Sequence, residues 1–123
     1  LEYGSPGRPR PPLRENRLGT VAAGRVWTVA AAVGAAYLAA AEAGHLLSVA
    51  PGAVATFWPA AGVLVAALAS LPLRHWPPVL LAAVAANLTS DVLIHGQRVG
   101  VAAGFAAANL VEGAVVAGLT RVA

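Results

Sequence analysis

The chain has 123 residues, of which 59% are hydrophobic and only 11% charged, with a mean hydropathy of +0.73. Soluble domains carry about 25% charged residues, so this composition excludes an ordinary water-soluble globule and predicts lipid as the solvent. The net charge of +3 comes from eight arginines with no lysine; they are dispersed except near the N-terminus, which excludes a nucleic-acid footprint, and the absence of cysteine excludes disulfides, Cys-ligated zinc and thiol redox chemistry.

Residues 1–25 hold Pro6, Pro9, Pro11 and Pro12 among Arg8, Arg10, Arg14 and Arg17, with too few apolar groups to offset the entropy of ordering. They read as a flexible Arg/Pro-rich cytoplasmic tail. Between Arg25 and Arg74 the chain then runs 48 residues with Glu42 as its only formal charge, and the intervals 75–97 and 99–120 carry one acid each, Asp91 and Glu112. A bilayer core about 30 Å thick takes roughly 20 apolar residues per helix, so the first stretch holds two spans and the later ones hold one each. The expected fold class is therefore all-α, a polytopic membrane helix bundle of about four transmembrane helices.

Helix 1 is predicted over about Val26–Leu47, ended by the Pro51-Gly52 turn. Ser48-Val49-Ala50 resembles a signal-peptide cleavage site, but an apolar run of some 22 residues exceeds the roughly 7–15 of a signal core, which favours a retained span. Helix 2 is predicted over about Val54–Leu71 with Pro59 in its first turn, Leu71–Trp76 as a short reversal, helix 3 over about Pro77–Ile94, and helix 4 over about Val99–Thr120 after a His95-Gly96-Gln97-Arg98 turn. Small residues four apart, Gly100, Gly104 and Ala108 on helix 4 and Ala30 and Gly34 on helix 1, are expected to let backbones approach, or simply reflect the abundance of small residues. Trp27, Trp58 and Trp76 fall where indole rings anchor in the headgroup zone, and His75 reads as interfacial.

With the N-terminus inside, seven arginines (Arg8, Arg10, Arg14, Arg17, Arg25, Arg74 and Arg121) are cytoplasmic and only Arg98 lies outside, as the positive-inside tendency requires. The first residue is Leu1 rather than Met, and Ala123 lies two residues past Arg121, both of which suggest a fragment without its output domain.

Ionisable groups within the bilayer are costly, so Glu42, Asp91 and Glu112 are expected to face the bundle interior. Asn109 and Glu112, three apart, share a helix face; Asn87, Asp91 and His95, four apart, form a polar stripe toward the outer surface. Asn87, Asp91, Asn109 and Glu112 thus make up a candidate sensing or inter-helix network, with helix fastening as the plainer role. Glu42 and His45 approach the same surface as Asp91 and His95, a candidate outer-face cluster for a ligand or proton; solvated helix ends are the plainer reading and a divalent metal a further alternative. No residue is assigned as catalytic or as a resident metal ligand, no cofactor is called for, and no enzyme is expected within this stretch, which lacks a nucleophile with its base and a phosphate-cradling loop.

In order, Phe57-Trp58-Pro59-Ala60-Ala61-Gly62, Arg74-His75-Trp76-Pro77, Ala86-Asn87-Leu88 and Ala108-Asn109-Leu110-Val111-Glu112-Gly113 resemble MASE1, the membrane-associated sensor domain. The resemblance covers about 26–122 and marks 26–123 as a partial MASE1-like domain, its N-terminal half, since MASE1 domains usually have about twice as many spans. It implies a multi-pass module of the bacterial plasma (inner) membrane that serves as sensory input to a histidine kinase or cyclic-di-GMP enzyme. Trp58, Pro59, Gly62, Trp76, Pro77, Asn87, Asn109 and Glu112 become its characteristic positions. The expected partners are the lipid bilayer, a cytoplasmic output domain in two-component or related signal transduction, and, as an open alternative, further copies in a homo-oligomer. A small-solute or ion transporter and a purely structural anchor are the competing functions.

The topology is checked by single cysteines, for which the Cys-free chain needs no background change. Cysteines placed at Arg17 and Arg74 should react with an impermeant maleimide from one side of the membrane, and one placed at Gln97 from the other.

Overall fold

A computed structural model describes residue 7, residues 14–48 and residues 58–123, with the side chains of 14–21 outside that description. The described chain is helical: α1 (Arg14–Leu46), α2 (Pro59–Ser70), α3 (Trp76–Leu88) and α4 (Val99–Val122). A 3-10 turn, Leu73–His75, leads into α3, and a π-helical stretch, Thr89–Ile94, prolongs it.

Three segments are long and apolar enough to cross a membrane, Ala22–Leu46, Leu73–Ile94 and Val99–Val122. The fourth differs from expectation. The 12 residues of α2 rise only about 18 Å, well short of a bilayer core. The expected start of helix 2 near Val54, and the Pro51-Gly52 turn, lie outside the described residues.

Two further expectations change. Residues 14–25, read as part of a flexible tail, are helical and continuous with α1, because the stretch from Arg14 to Arg25 contains no proline and is rich in helix-forming Arg, Glu, Leu and Ala. The reversal expected over Leu71–Trp76 shrinks to Leu71 and Pro72, since Pro77 and Pro78 occupy the first turn of α3, where a missing N–H costs no hydrogen bond, and the helix therefore begins at Trp76.

Gly44 near the end of α1 lies beside Pro59 at the start of α2, Tyr37 and Asn87 set α1 parallel to α3, and Leu64 beside Gly113 with Leu68 beside Arg121 sets α2 parallel to α4, so the described helices run up-down-up-down. Around the bundle α1 packs on α2 and α3, and α4 packs on the same two helices, leaving α1 and α4 facing across one diagonal. The core is made of Ala30, Tyr37 and Ala41 from α1, Leu64 and Leu68 from α2, Val79 and Ala83 from α3, and Ala117 from α4. Alanine dominates because lipid supplies no hydrophobic drive between helices, and small side chains allow the close backbone contact on which van der Waals attraction depends.

Close approach is located at three glycines. A Cβ on Gly34 would sit 3.2 Å from Ala82 Cβ, one on Gly113 would sit 2.8 Å from Leu64 Cδ2, and one on Gly44 would sit 2.9 Å from the Trp58 ring. The helix 4 stripe expected to pack does not: Gly100, Gly104 and Ala108 are exposed, while α4 turns Ala102, Ala106, Gly113 and Ala117 inward. Residues 102, 106, 113 and 117 follow the same four-residue rhythm half a turn away, so spacing alone could not choose between the stripes.

Arg121 closes one end of the bundle. Its guanidinium donates to the Leu68 carbonyl at 2.9 Å and to the Leu71 carbonyl, and lies 5.4 Å from the centre of the Trp76 ring. The Trp76 indole also donates to Leu68 O, at 3.0 Å. Trp76 thereby pins the end of α2 as well as sitting at a span boundary. His75 beside it is buried in the bundle end.

Gly34→Leu should destabilise the bundle by about 1–3 kcal/mol through overpacking against Ala82, whereas Gly104→Leu should leave stability unchanged. Reversible unfolding in mixed micelles, followed by helical circular dichroism, checks both.

Candidate functional site: a polar network from the bundle end to its centre

α1 and α3 run parallel and carry matching polar stripes, Tyr37 and His45 on one and Asn87 and His95 on the other, each pair eight residues apart. Packed side by side, they interlock. The deepest contact is a triangle of hydrogen bonds: Tyr37 Oη donates to Asn87 Oδ1 at 2.8 Å, and Asn109 Nδ2 of α4 donates to Tyr37 Oη at 3.2 Å and to Asn87 Oδ1 at 3.0 Å. Tyr37 and Asn87 are each 1% exposed, and Asn109 is half-buried. This node lies roughly 15 Å of helical rise from the start of α4, near mid-span, and is where three helices meet.

From the node the network climbs along α3. Asn87 Nδ2 donates to Asp91 Oδ2 at 2.8 Å. The other oxygen of Asp91 lies 3.4 Å from His45 Nε2, an atom that is buried and has no hydrogen-bond partner. The ring of His45 lies against that of His95 with centroids 3.8 Å apart and a tilt of 30°. His95 Nε2 is 3.0 Å from Glu42 Oε2, and Ser90 Oγ donates to Glu42 Oε1 at 2.6 Å. Trp58 closes the side of α2, its ring meeting His45 edge-on at 5.3 Å and resting on Gly44.

The π-helical stretch shapes this end. Thr89 Oγ1 donates to the Ala85 carbonyl at 2.7 Å, a local competitor of the helical ladder, and the His95 amide bonds five residues back to Ser90 O at 3.0 Å. The wider turn lets Ser90 and Asp91 both face α1, buried, where an α-helical turn would rotate one of them away. Gly96, with φ of +67°, then ends the helix in a conformation that glycine adopts without penalty, and Gln97 N donates to Asp91 O at 2.7 Å.

Of the expected residues, Asn87, Asp91 and Asn109 come together with Glu42, His45 and His95, so the two candidate groups form one continuous network that shares Asp91. Glu112 is the exception. It is exposed on the outer side of α4, because a three-residue step from Asn109 turns it about 60° further round the helix, past the edge of a narrow buried stripe. Gly62 also faces outward, with open space where a Cβ would stand. Trp58 is half-buried and packs on His45 and Gly44. Sequence reasoning missed Tyr37 and Ser90; the signal for Tyr37 was its eight-residue spacing from His45, repeated by Asn87 and His95.

No family model, curated protein or solved structure matches the chain. Among the described residues no three His, Asp or Glu side chains are disposed to hold a metal ion. The stacked histidines turn their Nε2 atoms to separate carboxylates rather than to a common point, which suits paired hydrogen bonds better than coordination.

Asn87→Leu removes three hydrogen bonds from the network and leaves Tyr37, Asn109 and Asp91 without it. It should cost about 1–3 kcal/mol in the same unfolding assay, with Glu112→Gln leaving stability unchanged.

Proposed function

We propose that this chain is a sensory input module of a bacterial plasma-membrane signal-transduction protein, of the MASE1 kind, with its N-terminus cytoplasmic and a histidine kinase or cyclic-di-GMP enzyme as output. The observation that carries the reading is the continuity of the network. Groups that respond to protons or small polar ligands at one bundle end stand against Asp91, with His45 3.4 Å from one of its oxygens, and Asp91 is in turn hydrogen-bonded to the node joining α1, α3 and α4. In hydrocarbon such a node has few partners to exchange, so a change at the bundle end has discrete alternative packings to select between, which is what a two-state sensor requires.

Two features add support. Asn87 and Asn109, both positions of the MASE1-like pattern, are partners in the node, and Trp76 and Pro77 of the same pattern build the opposite end. The bundle also sorts its arginines: Arg74 and Arg121 share the end from which α1 rises, and Arg98 stands alone at the end holding His45 and His95. This matches a cytoplasmic N-terminus under the positive-inside tendency.

A transporter of small solutes or ions is the second reading, favoured by the π-helical interruption of α3 that carries Asp91. Uptake into proteoliposomes separates the two.

In the protein with its output domain attached, Asn109→Leu and Asp91→Asn should each change basal output several-fold at normal membrane abundance. Unchanged output in both variants would reject the sensory role.

A further inference from the structure

The histidine stack invites a question of chemistry: what ligand can act on two imidazoles already in contact? Their ring centroids are 3.8 Å apart, and each ring reaches a carboxylate of its own, His95 to Glu42 at 3.0 Å and His45 to Asp91 at 3.4 Å. The two contacts are unequal. The first is a hydrogen bond; the second brings a buried, unpartnered nitrogen near a buried carboxylate without completing one.

We infer that the His45–His95 stack, clasped by Glu42 and Asp91, is a one-proton binding site whose occupancy draws His45 onto Asp91 and so acts on the Tyr37–Asn87–Asn109 node. This deepens the sensory reading and rests on it, naming the proton as the stimulus.

The electrostatics set the first proton apart from the second. The groups facing the stack are Glu42 from α1, Asp91 from the π-helical end of α3 and the neutral Trp58 from the α2 side; α4 begins at the same end after Arg98, an exposed N-cap residue. With both imidazoles neutral and both carboxylates ionised, the clasp carries two negative charges, which one imidazolium partly offsets. A second proton would place two positive rings in contact, and their repulsion opposes it. The two protons therefore bind in separate steps, and the first divides an empty from an occupied stack.

The geometry also says where the proton's effect goes. A charged His45 completes the hydrogen bond to Asp91 Oδ1, because charge-assisted bonds are shorter than the 3.4 Å now separating the atoms. Asp91 cannot shift toward His45 without pulling on Asn87, which its other oxygen holds at 2.8 Å, and Asn87 is shared by Tyr37 and Asn109. Histidine titrates in the range where such a switch would be used, between about pH 5 and 8. Side-chain exposures of 29% for His45 and 35% for His95 give protons access from the bundle end.

The test is nuclear magnetic resonance of the full chain, with labelled histidine, in phospholipid nanodiscs, titrated between pH 5 and 8. The chain has only three histidines, and His75 at the opposite end serves as an internal control. His45 and His95 should move together in one step that corresponds to a single proton, with the Tyr37 and Asn109 resonances following at the same midpoint. In H95Q the His45 transition should change position. In D91N the histidines should still titrate while Tyr37 and Asn109 no longer follow.

Independent titration of His45 and His95, each unmoved by removal of the other, would overturn the shared site. Tyr37 and Asn109 signals that ignore the step in the unmodified chain would overturn the coupling. Stepping external pH on the protein with its output domain separates the levels: coupled titration beside a pH-insensitive output would overturn the proton as stimulus, leaving the sensory role to the Asn109 and Asp91 variants. A step in output that H45Q abolishes would support the whole inference.

Discussion

Hydrocarbon offers no hydrogen bonds, and from that constraint most of this structure follows. A tyrosine, two asparagines and an aspartate placed within apolar helices must find partners in one another, since an unpaired amide or hydroxyl in such a medium costs several kcal/mol. The Tyr37–Asn87–Asn109 triangle is a compact solution, with Asn87 accepting twice through one oxygen and donating to Asp91 through its nitrogen. Because its members come from α1, α3 and α4, satisfying them sets the rotation and depth of three helices at once. Nonspecific packing of alanine faces would leave both free to slide.

The apolar packing is correspondingly permissive everywhere except at a few points. Alanine against alanine gives closeness without much registration, and the chain supplies registration with a small number of large side chains set against glycine: Leu64 against Gly113 and Trp58 against Gly44. The ends are held by polar contacts of different character. At one, Arg121 covers carbonyls of α2 and rests on Trp76; at the other, paired histidines and carboxylates join α1 to the end of α3. The first end is held by a permanently charged group. The second is built from groups whose charge is conditional, and it is contiguous with the central node, so the two ends of the bundle differ in chemical character. The π-helical turn belongs to this end, where a regular helix could not bring Ser90 and Asp91 to α1 together.

Much of this was legible in the residues. Composition and the spacing of charges specify a membrane helix bundle, because hydropathy reports the solvent directly and arginine placement marks the ends. The positions of α3 and α4, the polar stripe of Asn87, Asp91 and His95, and the placing of Glu42 and His45 near one helix end are all readable from periodicity, which depends only on the geometry of a single helix; that each histidine meets the carboxylate of the other helix, His95 Glu42 and His45 Asp91, is not. The start of α1 was misjudged because proline density further upstream masked a proline-free run from Arg14, and α2 is shorter than its apolar stretch implied.

What periodicity does not contain is the angle at which one helix faces another. Gly104 and Ala108 carry the same spacing as Ala102 and Ala106, and only contact with α2 and α3 decided that the second set lies inside. Asn109 and Glu112 are neighbours on the same helix, yet the edge of that contact falls between them, leaving the amide in the node and the carboxylate outside. Two polar groups that share Asp91 along the chain meet in one network because α1 and α3 run parallel and in register. Which residues are polar, and how they recur, is a property of the sequence; which of them meet is set by helix rotation, a relation between segments up to 72 residues apart.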